Sequence, residues 1–125
     1  NSFRGVDQKT IGFYYELKDS LRSQGNHPRL LVTSTKRPKW FNDLAVKYSG
    51  AAPKSRHLKA EAIDFVVLDV NGDWKFNAKD VDIVYKILNE QIIKNKGGIG
   101  TYKNASWDCQ MVHIDCRGRR ARWHR

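Results

Sequence analysis

Between Ala62 and Leu68 the chain is apolar at every position except Asp64. A run of this length reads as a buried strand, so the fold must contain a sheet with apolar cover. The cover is visible on both sides of it in sequence. Over residues 6–24, Ile11, Tyr14, Leu17 and Leu21 make one helical face, and Gly25 suits the position just past a helix C-terminus. Asn77 is a good N-cap, Asp80 three residues on favours a helix N-terminus, and Val81, Val84, Leu88 and Ile92 face inward until Gly97 and Gly98 break the pattern. Pro38 fits the first turn of a further helix that buries Phe41, Leu44, Ala45 and Tyr48. Leu30–Val32, Ile99–Tyr102 and Met111–Cys116 are the other strand candidates. Helices and strands with mixed connections predict an α+β fold around an antiparallel sheet.

At 125 residues the chain fits one domain, 1–125, with one core. No apolar run approaches the ~20 residues of a membrane span, and no charged-then-apolar leader opens the chain, which therefore reads as a mature or trimmed domain. The net charge of +10 favours an anionic partner such as an acidic polymer, anionic lipid or nucleic acid. The two cysteines say little. On one strand Cys109 and Cys116 would lie about 23 Å apart, too far for a disulfide, and their spacing makes a poor zinc pair.

Chemistry concentrates in a split constellation: Ser55-Arg56-His57, then Asp64, then Met111-Val112-His113-Ile114-Asp115. Two histidines and a carboxylate are what a catalytic zinc requires, since such sites use three protein ligands and keep the fourth position for water. His57 lies in a loop opened by Pro53 and Lys54, seven residues before Asp64, so a loop ligand and a strand ligand can meet at one ion. His113 and Asp115 are two apart on a strand and leave the same face. One can bind metal while the other orients a ligand or handles protons. The plain alternative is a surface histidine, a satisfied core histidine and a strand-end carboxylate.

The order of the motifs is more specific than any one of them. Ser34 and Arg37, then Ser55-x-His57-x6-Asp64, then Gly98-Ile99-Gly100-Thr101-Tyr102, then His113-Ile114-Asp115-x-Arg117 with Arg122-Trp123, resembles the zinc D-Ala-D-Ala carboxypeptidase and murein endopeptidase family, above all its small bacterial and phage members. The resemblance spans roughly residues 10–123. It implies an α+β fold shared with the hedgehog signalling domain. It implies that His57, Asp64 and His113 bind zinc, that Ser55 supports the site, and that Arg37 holds a substrate carboxylate or stabilises an oxyanion. The implied substrate is the peptidoglycan stem peptide or cross-link, cut as a carboxypeptidase or an endopeptidase. The implied location is the periplasm or exterior for a bacterial protein, or the host wall for a phage one.

The chain departs from the family pattern in three places. Thr35 stands where S-G-x-R has glycine, and Ala60 stands in place of the glycine of S-x-H-x-x-G. Gln110 occupies the position, three before the last histidine, where many members keep a carboxylate as general base. Asp115 is then the expected base, because it shares a strand face with His113, and Asp108 is the second choice.

A further motif runs from Asp69 to Asp80. Asp69, Asn71, Asp73, Asn77 and Asp80 take positions one, three, five, nine and twelve of an EF-hand-type calcium loop, with Lys75 at seven. It is similar to one half of a dockerin repeat, except that Trp74 replaces the glycine of position six, where a bulky residue at positive φ is unfavourable. The plain alternative is an Asn-Gly-Asp turn capped by Asn77. At the C-terminus Arg117, Arg119, Arg120, Arg122 and Arg125 crowd together with Trp123, as a patch for anionic wall polymer or as a solvated tail. Two function classes follow: a zinc murein peptidase, with zinc and a candidate structural calcium as cofactors, or a basic non-catalytic module for wall polymer, with nucleic acid the weaker partner.

Overall fold

A computed structural model describes residues 5–34, 61–105 and 109–125. The predicted helix at 38–48, with Arg37, Ser55, His57 and Asp108, lies outside the described residues. The order is α1 (Gln8–Ser23), β1 (Leu30–Ser34), β2 (Ala62–Val67), α2 (Ala78–Ile87) continued by a π-helical turn (Leu88–Ile92), β3 (Gly98–Ala105), β4 (Cys109–Asp115) and β5 (Ala121–His124). The fold is α+β, as the pattern predicts. Among the described residues no helix is long and apolar enough to cross a membrane.

α1 starts where Asp7 accepts the Lys9 amide, an N-cap bond of 2.8 Å. It ends in a Schellman motif. Gly25 takes φ 81°, its amide bonds Arg22 O, and the Asn26 amide bonds Leu21 O. α2 starts with a full capping box, in which Asn77 and Asp80 satisfy each other's backbone amides. The Ile93 amide reaches back to Leu88 O at 2.7 Å to close the π turn.

The sheet order is β1-β2-β4-β3-β5. Four strands pair antiparallel, but β5 runs parallel to β3, so the sheet is mixed rather than antiparallel. Four residues rich in arginine carry little strand signal, so β5 is not among the predicted strands. One face of the sheet packs on the helices. Ile63, Phe65, Ile99, Val112 and Ile114 meet Tyr14, Leu17 and Leu21 of α1 and Val81, Val84 and Leu88 of α2. Tyr14 meets Phe65 edge-on at 5.5 Å. Each such side chain contributes about 1.5–3 kcal/mol when fully buried, which explains why the sequence periodicity marks these positions.

The other face of the sheet carries chemistry, because strand residues alternate between faces. Asp64, His113 and Asp115 lie between the core residues of β2 and β4. Register then aligns them. Asp64 pairs with His113, His113 with Gly100, and Gly100 with Trp123, so one rung crosses four strands.

Candidate functional site

His113 sits at the centre of that rung, 7% exposed. Its Nδ1 lies 2.9 Å from Asp64 Oδ1 on β2, and its Nε2 lies 2.8 Å from Asp115 Oδ2 two residues along β4. The imidazole is thus held at both nitrogens by carboxylates. Trp123 of β5 packs against the ring, with centroids 5.0 Å apart.

The G-x-G-x-Y motif is the architecture that permits this. A Cβ on Gly98 would stand 2.5 Å from Asp115 Oδ2, and one on Gly100 would stand 2.2 Å from the Trp123 ring. Both positions demand glycine because other groups occupy the space of a side chain. Gly98 also donates its amide to Asp115 Oδ1 at 2.9 Å. Tyr102 Oη accepts the indole N–H of Trp123 at 2.6 Å, and Thr101 Oγ1 pairs with His124 Nδ1 at 2.6 Å. Every described polar residue of the motif therefore braces β5 or Asp115.

Asp115 is fully buried. Beyond His113, it accepts Arg117 Nε at 2.9 Å and Arg117 Nη2 at 2.7 Å, a bidentate pair, and the Arg117 backbone amide at 3.2 Å. Burial alone would raise its pKa, but the bonds from His113 and Arg117 outweigh burial and hold the carboxyl well below the usual range. Such a group is a poor proton acceptor. Asp115, the expected general base, is thus engaged by both His113 and Arg117. Its contact with Nε2 fixes the orientation of the His113 ring, with Nδ1 toward Asp64. Sequence alone marked Asp115 through its i,i+2 relation to His113. It did not reveal that Arg117 and the Gly98 amide converge on the same oxygens.

Burial also opposes charge on His113, yet the two carboxylates prevail and raise its pKa above the ordinary value. With His113 protonated, Asp64, His113, Asp115 and Arg117 form an alternating chain of charges that sums to zero. The donor set also fits a metal. With Nε2–H committed to Asp115, the Nδ1 lone pair and Asp64 Oδ1 are a nitrogen and an oxygen directed at one another, and a cation can replace the proton they share. His57, the third ligand of the expected set, lies outside the described residues.

The Asp69–Asp80 loop brings Asp69, Asp73 and Asp80 together, with one carboxylate oxygen of each within 4.8 Å of the others. The loop also satisfies itself. Asp69 accepts the amides of Gly72, Asp73 and Trp74, and these bonds lower its pKa against the effect of burial. Asp80 accepts the amides of Val70 and Asn77, and Asp73 that of Lys75. Trp74 adopts the left-handed φ of 64° expected of position six despite its bulk, and the residue is 88% exposed. The basic C-terminus divides. Arg117 and Arg122 are structural, Arg122 bonding Asn89 Oδ1 and the carbonyls of Lys94, Gly97 and Ala121, whereas Arg119, Arg120 and Arg125 are exposed. Among the described residues, Cys116 is a free thiol.

Two predictions follow from this geometry. A raised His113 pKa stabilises the fold below the unfolded value of about 6.5 and loses that contribution as pH rises through the folded value. In metal-free protein the stability difference between wild type and His113→Gln, measured by urea denaturation, should therefore shrink from pH ~5.5 to pH ~8.5. A difference that grows with pH contradicts the raised pKa. Calcium in the 69–80 loop should raise the thermal midpoint at millimolar concentration, and Asp73→Asn should abolish the rise. No rise with calcium identifies the loop as a self-capped turn.

No family model, characterised protein or solved structure matches this chain.

Proposed function

We propose that the chain is a zinc-dependent peptidase acting on peptidoglycan stem peptides or cross-links, as a carboxypeptidase or endopeptidase. The observation that carries the reading is the His113 arrangement. One imidazole nitrogen is committed to a buried, ionised carboxylate, and the other faces Asp64 at 2.9 Å. Histidine ligands characteristically have their second nitrogen held in this way. The resemblance of the motif order to zinc murein peptidases supplies the third ligand, His57. A zinc held by these groups would lower the pKa of a bound water and polarise a scissile carbonyl.

The chain's own groups do the rest. Asp115 fixes the tautomer of His113, Arg117 keeps Asp115 ionised, and Trp123 shields the ring edge. Arg37 holds a substrate carboxylate or the developing oxyanion, and Ser55 supports the ligand loop. With Asp115 engaged by Arg117, Asp108 becomes the preferred proton acceptor. The positive charge of the chain suits an anionic wall polymer outside the cytoplasmic membrane.

One observation favours the second reading, a basic wall-binding module without catalysis. With His113 protonated, the Asp64–His113–Asp115–Arg117 chain is electrically neutral, and its own ion pairs satisfy it without a further charge. The two readings part on a single preparation. Elemental analysis should give one zinc per chain. Purified peptidoglycan should release peptide fragments by mass analysis, and a chelator or His113→Ala should stop this. Asp115→Asn should weaken zinc binding by about 10- to 100-fold, with activity restored by excess zinc. If Asp115→Asn keeps its zinc and stays slow, Asp115 is the base after all. Neither zinc nor cleavage by the wild type leaves the binding module.

A further inference from the structure

α1 contains a glycine that its packing does not require. Gly12 lies in the helix interior, its φ is not in the left-handed region, and an added Cβ would meet nothing within 4 Å. Glycine is the poorest helix former after proline, so neither conformation nor close approach accounts for it. The open space over Gly12 belongs to a cavity of about 580 Å³, within the usual range for small-ligand sites.

The walls have a definite chemistry. Lys9, Gly12, Phe13 and Glu16 fall at i, i+3, i+4 and i+7 and form one stripe of α1. Lys96 and Cys116 belong to the facing wall, where the Gly118 amide bonds Lys96 O at 2.8 Å and ties the two segments together. Cys116 follows Asp115 but turns toward Thr10 and Asp7. Burial raises its pKa, so the thiol is a neutral lining group. The cavity thus opens on the helix side of the sheet, on the other side from the His113 rung.

We propose that this cavity binds a short zwitterionic peptide. Two ammonium groups, Lys9 and Lys96, answer a carboxylate. Glu16 answers an amine, and the Phe13 ring with the bare Gly12 backbone receives an aliphatic body. A polyphosphate would be repelled by Glu16, and an uncharged apolar ligand would desolvate three charges without pairing them. Only a ligand bearing both signs pairs all three. Gly12 is then the position that keeps the floor open.

The test is titration of the full chain with tri-alanine, followed by ¹⁵N amide chemical shifts. Saturable shifts are expected at Gly12, Lys96 and Gly118, and not at His113. The peptide amide, which lacks the carboxylate, should bind at least about tenfold more weakly, the scale of one charged hydrogen bond. Gly12→Leu fills the floor and should abolish binding, whereas Gly12→Ala should raise the thermal midpoint. Should Gly12→Leu misfold, Lys96→Ala provides the second variant and should weaken binding to a similar degree. No saturable shift at tens of millimolar, equal binding of the amidated peptide, or shifts confined to the His113 rung would each overturn the proposal.

Discussion

The architecture depends on a buried imidazole held between two carboxylates. A charge in a protein interior is costly unless paired and hydrogen-bonded. Here Asp64, His113, Asp115 and Arg117 alternate in sign along one face of the sheet, and each bond lies between 2.7 and 2.9 Å. The chain can form only if β2, β4 and β3 keep a single register. A slip of one residue on β4 would send His113 into the apolar layer and Val112 out of it. The polar face therefore fixes the alignment that the apolar face stabilises.

The same requirement explains the neighbouring small residues. Gly98 yields its side-chain volume to Asp115, and Gly100 yields its own to Trp123. Trp123 is anchored in turn by Tyr102, and β5 by the Arg122 bonds to the carbonyls of Lys94 and Gly97 that follow the π turn. These positions come from separate stretches of the chain, but together they build one wall around His113.

Periodicity made much of the fold legible. The inward faces of α1 and α2, the Gly25 terminus, the Asn77–Asp80 cap and strands expected at 62–68 and 111–116, found at Ala62–Val67 and Cys109–Asp115, follow from local rules. The pairing of Asp64 with His113 did not, because it joins residues 49 apart, and no local pattern specifies which strands become neighbours. The relation of His113 to Asp115 was readable from the strand period. The surroundings of Asp115 were not, because Arg117 beyond the strand end and an amide from β3 supply them. β5 was missed because it is short and its strand character comes from pairing with β3. Position six of the Asp69 loop shows the converse. Trp74 argues against a left-handed turn on local grounds, yet the Asp69 carboxylate holds its amide in that conformation.

A metal reading and a purely structural reading of this centre share every coordinate described above. They differ in one proton, the one between Nδ1 of His113 and Asp64. Imidazole ¹⁵N NMR observes that proton directly. The account predicts that Nε2 of His113 stays protonated with or without zinc, and that Nδ1 moves from a protonated to a metal-bound shift when zinc is added. An Nδ1 shift that zinc leaves unchanged, or loss of the Nε2 proton in its place, would contradict it.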